Sequence, residues 1–212
     1  MLAFAAGLSR RATVLAGLAS ALAGCASTQI SSQWSDPALA GAPLRGNTVM
    51  VVCQAAELST QRICQDQLAA QLRAMGATPV AGQPAADNGD RNAAAKAQLP
   101  AARAAGAKAL WFATVAPDAA YVSPGPQISF GIGGFSMGGG GSHSGGGVGV
   151  SMPVGGGRVD TAYGAENTVF DAADGRVLWS AKAVAPPSDR VDAQLADLAK
   201  VAAEAARKAG LF

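Results

Sequence analysis

Fourteen of the 27 residues from Gly131 to Gly157 are glycine, and this restricts the fold more firmly than any other feature of the chain. Glycine loses more backbone freedom on folding than any other residue and brings no side chain to bury. The segment therefore cannot form a core, which must come from the sequence on its two sides. Its margins are nonetheless patterned. Ile128, Phe130 and Ile132 alternate with Ser129 and Gly131, while Val148, Val150, Met152 and Val154 alternate with Gly149, Ser151 and Pro153. A period of two marks strand, so the sequence predicts a glycine-tipped hairpin over 125–158, apolar on one side and nearly bare on the other. The expected use is an extension of the domain's own sheet. The alternatives are a docking surface that offers free strand edges to an envelope protein, and a membrane-inserting hairpin of an oligomeric pore. For the pore, each arm shows about eight patterned residues where a spanning strand takes roughly nine to eleven. Gly131-Ile132-Gly133-Gly134 lacks the strand-to-helix setting of a nucleotide-binding loop.

The flanks carry ordinary element signals. Thr48-Val49-Met50-Val51-Val52-Cys53 reads as a buried strand. A helix follows, capped at Ser59 or Thr60 and ended by Gly76, with Cys64, Leu68, Leu72 and Met75 on one face. Thr78 to Val80 is a short strand, Asn92 to Ala105 a helix interrupted at Pro100 and closed by Gly106, and Lys108 to Val115 a strand. Val159 to Phe170 and Val177 to Val184 form an antiparallel hairpin around the turn residues Asp171 to Gly175. Asp189 to Lys208 is a closing helix whose apolar stripe is Val191, Leu195, Leu198, Ala202 and Ala205. The order β-α-β-α-β then β-β-α predicts one α/β domain over 48–212. Its expected architecture is an α+β sandwich, with helices covering a mixed sheet and the glycine-rich hairpin as an insertion. Half of the 212 residues are hydrophobic, enough for one such core.

Composition removes several functions. A net charge of +2 is far from the basic excess that nucleic acid requires. One histidine and three cysteines cannot supply a metal site built from several nitrogen and sulfur ligands, and neither metal nor cofactor is expected. No catalytic residue is expected either. His143 sits in Gly141-Ser142-His143-Ser144-Gly145 without a carboxylate nearby in sequence to orient it. Asp160 and Glu166 fall on one face of a strand about 20 Å apart, too far for paired-carboxylate chemistry. Trp111 and Trp179 lie inside strands and are read as core.

The amino terminus has the three zones of an export signal: Arg10 and Arg11, the apolar run Ala12 to Ala21, then Leu22-Ala23-Gly24-Cys25. The last four residues resemble the lipobox of bacterial lipoproteins. That resemblance implies that residues 1–24 are removed and that Cys25 carries a diacylglycerol and acyl chains, which anchor the protein in a membrane. Ala26 is not the aspartate that retains such lipoproteins in the inner membrane, so the resemblance implies the periplasmic face of the outer membrane. Removal of residues 1–24 leaves fourteen basic and fourteen acidic side chains, so anchoring would rest on the acyl chains and not on charge. Residues 25–47, rich in Ser, Gly, Pro and Ala, read as a flexible tether, with Trp34 expected to staple it to the domain.

With Cys25 acylated, Cys53 and Cys64 remain in an oxidising compartment. One ends a strand and the other lies on the apolar face of the next helix, so a disulfide is predicted, the alternative being two buried thiols.

The lipobox, the strand-helix opening, Ala104-Ala105-Gly106-Ala107-Lys108-Ala109-Leu110-Trp111 and the hairpin Val169 to Trp179 resemble a broad family of proteobacterial outer-membrane lipoproteins. Members carry an α/β domain similar to the amino-terminal domain of the Tol-system periplasmic protein and to the lipoprotein activators of cell-wall synthases. The glycine-rich hairpin and the pair Cys53 and Cys64 depart from those activators. The expected function is a non-catalytic, lipid-anchored envelope domain acting on an unknown protein partner. The alternative is a subunit of an oligomeric export pore resembling the curli-secretion lipoprotein, and after it an enzyme whose cleft the sequence does not reveal.

Overall fold

The computed structural model describes residues 27–39, 41–83, 90–123, 127–129, 151–153 and 158–212. Among these described residues there are eight strands: β1 (Gln29–Ser35), β2 (Thr48–Gln54), β3 (Thr78–Ala81), β4 (Ala109–Ser123), β5 (Gln127–Ser129), β6 (Ser151–Pro153), β7 (Arg158–Asp171) and β8 (Val177–Val184). The helices among the described residues are α1 (Leu58–Ala74), α2 (Arg91–Ala97), α3 (Leu99–Ala104) and α4 (Val191–Lys208). Six strands form one mixed sheet in the order β1-β8-β7-β4-β2-β3, in which β2 runs parallel to both β3 and β4 and the remaining neighbours are antiparallel. The class is α/β, as the alternation of elements predicts.

The parallel part follows from the sequence of crossovers. β2 is apolar on both faces because both are covered: Val49, Val51 and Cys53 face α1 and α4, while Met50 and Val52 face α2 and α3. On the first face Cys64, Leu68 and Leu72 of α1 and Leu195, Leu198 and Ala202 of α4 close over the sheet. Alanines at 199, 202, 205 and 206 are all buried, and their small size lets α4 lie close to its neighbours. Trp111 and Trp179 sit at the centre of this layer, both fully buried, with ring centroids 5.5 Å apart. The Trp111 indole donates to Oδ1 of Asn167, itself 2% exposed, at 3.0 Å, which satisfies a polar pair inside an apolar layer.

Two polar side chains of α1 fasten it to β2. Gln61 Nε2 donates to the Cys53 carbonyl at 2.7 Å, and Gln65 Nε2 donates to the carbonyls of Val51 and Gly82 at 2.8 and 3.0 Å. Cys53 and Cys64 are joined in a disulfide whose Cα atoms are 6.1 Å apart. The bond closes an eleven-residue separation, and in the chain-entropy model removing such a crosslink costs about 2–3 kcal/mol. The double variant Cys53→Ala/Cys64→Ala should therefore unfold at lower urea by that amount. An unchanged midpoint would count against it.

Gly82 follows β3 where the chain crosses the β2 side chains. A Cβ there would lie 2.4 Å from Val52 Cγ2 and 3.1 Å from Met50 Sδ. Because both neighbours are in the packed second layer, Gly82→Ala should destabilise by about 1–3 kcal/mol. Thermal unfolding of the purified variant measures this directly.

Two expectations are corrected. Residues 29–35 are not tether: β1 pairs antiparallel with β8 from Gln29↔Val184 to Ser35↔Trp179. Leu44, inside the same expected tether, is fully buried, and its amide donates to the Leu211 carbonyl at 2.9 Å. The folded domain thus begins near Gln29 and not at Thr48. The strand carries only Ile30 and Trp34 as large apolar residues because it is an edge with one partner. Trp34 does not act as a staple, since it is 49% exposed and the backbone ladder does the holding.

β4 is also longer than expected, continuing through Pro117 to Ser123 with a register shift between Pro117 and Ala119. β5 and β6 pair antiparallel, Ile128 opposite Met152, in agreement with the strand reading of the hairpin margins. Its glycine tip, His143 and Cys25 lie outside the described residues.

Candidate functional site

Helices α2 and α3 cover only part of the second sheet face, where Leu110, Phe112 and Phe170 meet Ala94, Ala95, Leu99 and Ala102. Among the described residues no helix covers the remainder, over β7, β8 and β1. Strand register fixes what stands there. Thr114 pairs with Glu166, Glu166 with Lys182, and Lys182 with Ser32; one row along, Phe112 pairs with Thr168, Thr168 with Ser180, and Ser180 with Trp34. Because side chains alternate across a strand, the intervening Ala165, Asn167, Ala181 and Ala183 all belong to the buried side. Glu166 and Thr168 of β7 and Ser180 and Lys182 of β8 follow this alternation, standing outward between the buried Ala165, Asn167, Val169, Trp179, Ala181 and Ala183.

The open face is laced by ion pairs. Lys182 Nζ reaches Asp118 Oδ1 at 2.6 Å, and Arg91 from α2 pairs with Glu166. The Asp118–Lys182 pair crosses directly above Gly164: a Cβ there would meet Asp118 Oδ1 at 3.4 Å and Lys182 Cε at 3.5 Å. The hydrogen bond to Asp118, followed by that carboxylate's charge, raises the Lys182 pKa above the ordinary lysine value. A raised cation contributes its stability below that ordinary value and loses it as pH climbs through the raised one. Lys182 is thus protonated throughout the neutral range and cannot serve as a base there. Its exposure keeps the energetic worth of the pair small.

Beside this ladder lies a shallow trough of about 370 Å³ lined by Ser32, Gln33, Trp34, Glu166, Asn167, Thr168, Ser180, Ala181 and Lys182. Trp34 at its rim is one of two large hydrophobic residues exposed among the described residues, Leu58 being the other. Among the described residues no group of three or more His, Cys, Asp or Glu is placed to hold a metal ion, and no helix is long and apolar enough to cross a membrane.

Of the residues singled out in sequence, Cys53 and Cys64 come together in a buried bond, Trp111 and Trp179 meet in the core, and Glu166 stands on the open face paired with Arg91. The ladder itself was not visible in the sequence. The signal available was the outward series Glu166, Thr168, Ser180 and Lys182 on two strands of a predicted hairpin.

No family model and no curated protein matches this chain. Among solved structures, it is similar to the PelC dodecamer from Paraburkholderia phytofirmans at 16% identity and a TM-score of 0.48, over 83% of this chain and 95% of that one. A variant of the same dodecamer gives 18% identity and a TM-score of 0.45 over 81% and 94%. The lipoprotein GNA1162 from Neisseria meningitidis gives 18% identity and a TM-score of 0.39 over 76% and 96%.

Proposed function

We propose that this chain is a non-catalytic domain, anchored through acyl chains on Cys25 to the periplasmic face of the outer membrane, which binds another envelope protein through the open face of its sheet. The observation that carries the reading is the incomplete cover of the second sheet face, which leaves Trp34 49% exposed beside the Asp118, Lys182, Glu166 and Arg91 ladder. A half-exposed tryptophan in a trough is the kind of anchor on which binding energy concentrates. The flanking pairs of alternating sign suit partner choice more than affinity. That the domain is similar to the Tol-system domain and to the cell-wall synthase activators, and that its partner belongs to the cell envelope, are parts of this proposal.

The test uses a photo-crosslinking residue in place of Trp34 in intact cells, with and without Lys182→Glu. The expected outcome is one discrete adduct that the charge reversal removes while the unfolding midpoint of the purified protein stays unchanged. Adducts to further copies of this chain alone would favour the oligomeric pore. Absence of any adduct, with folding intact, would overturn the docking role of this face.

A further inference from the structure

We infer that the end of the sheet bearing Gln29 faces a phospholipid bilayer, and that the ribbon made by the distal parts of β4 and β7 touches it. This rests on the lipid-anchor reading of Cys25 and goes beyond it by fixing an orientation and a second contact.

The argument is one of reach. Only four residues carry the chain from Cys25 to Gln29, and four residues fully extended span at most about 14 Å. The domain therefore cannot swing on a long leash, because β1 is already hydrogen-bonded where a tether was expected. Gln29 pairs with Val184, Val184 with Gly164, and Gly164 with Ala116, so these four residues stand at one level across the sheet. β2 and β3 enter the sheet at its opposite end, where Thr48 pairs with Thr78 and Val49 with Ala109.

Past the level of Gln29, β4 and β7 continue as a pair to Ser123↔Arg158. Six further positions on β7 amount to about 20 Å at the ordinary strand rise. The chain leaving β8 flanks β7 only as far as Thr161, where Ser188 donates to its carbonyl. Tyr121, Val122 and Ser123 with Asp160, Val159 and Arg158 thus form a two-stranded ribbon that outreaches the longest possible span of the anchor. With Cys25 at the bilayer surface and the strands upright, the ribbon must meet that surface. Asp160 and Arg158 are the charged positions of this ribbon, and further along the chain from its two strands β5 and β6 pair, Ile128 with Met152. The competing orientation lays the β1 edge flat on the membrane. That edge is poor for the purpose, since Ser31, Ser32 and Gln33 are exposed and polar.

The experiment uses full-length acylated protein in phosphatidylethanolamine–phosphatidylglycerol vesicles containing a nitroxide-labelled lipid. Single cysteines introduced as Ser123→Cys, Ser129→Cys, Ser31→Cys or Thr78→Cys are labelled with an environment-sensitive fluorophore, Cys53 and Cys64 being bonded to each other. Each variant is first shown to unfold at the wild-type midpoint. The expected result is flotation of the protein with the vesicles, a blue shift and loss of emission at positions 123 and 129, and no change at position 78. Loss of emission at position 31 with none at 123 and 129 would establish the flat orientation and overturn the inference. Flotation without quenching at any position would do the same. Protein that fails to float would overturn the anchor, and this contact with it.

Discussion

Trp111→Ala is expected to lower the free energy of unfolding by about 3–5 kcal/mol, the largest effect of any single core substitution proposed for this chain. Trp111 is fully buried on the central strand β4 and lies 5.5 Å from the Trp179 ring and 6.4 Å from that of Phe212. Its removal opens a cavity between the sheet and the two long helices. It also leaves Asn167 Oδ1, in a side chain 2% exposed, without the indole N–H that it accepts, and stranding a buried acceptor adds about 1–3 kcal/mol. Domains of this size have a net stability of about 5–15 kcal/mol, so a large part would disappear. Trp111→Phe separates the contributions, because it loses the hydrogen bond but only a small part of the buried volume. Urea unfolding of both variants should rank wild type above Trp111→Phe above Trp111→Ala. Equal midpoints for the wild type and the alanine variant would mean that the two-tryptophan layer is not the core.

Cys25→Ala is expected to abolish acylation and, with it, attachment to the outer membrane. Each buried methylene contributes about 0.8 kcal/mol to membrane affinity, and two or more chains hold a protein stably. The fourteen basic and fourteen acidic side chains left after residue 24 provide no electrostatic substitute. The variant should take up no labelled fatty acid, remain uncleaved at Gly24 and stay in the inner membrane as a precursor. A wild-type protein recovered as soluble mature chain without fatty acid would refute the anchor.

What could be read from the residues divides along burial. β2, α1, β4, the β7–β8 hairpin and α4 were legible because each buries a face, and burial writes a period into the sequence. The ends of β4 and all of β1 were not. Pro117 and Asp118 look like a strand terminus, yet a register shift at Pro117 lets the ladder continue past a residue that has no N–H to donate. Gln29-Ile30-Ser31-Ser32-Gln33-Trp34-Ser35 reads as linker because an edge strand with one covered side needs little apolar content. The candidate site suffered from the same cause. Trp34 drew notice as a lone aromatic, but its neighbours Ser180 and Lys182 are distant in sequence and meet it only through register.

The order β1-β8-β7-β4-β2-β3 also sets a timetable. Ser31 donates to the carbonyl of Lys182, 151 residues further along, so a chain that emerges amino terminus first must build β2 through β8 before β1 has anything to pair with. Contacts of such separation close slowly, because the intervening loop must be ordered before the bonds reward it. In that interval β1 is a free strand beside the growing domain, with unpaired N–H and C=O groups on both of its edges, the arrangement most prone to pairing with the wrong neighbour. Its serines and glutamines are what a strand needs if it must wait in water without sticking.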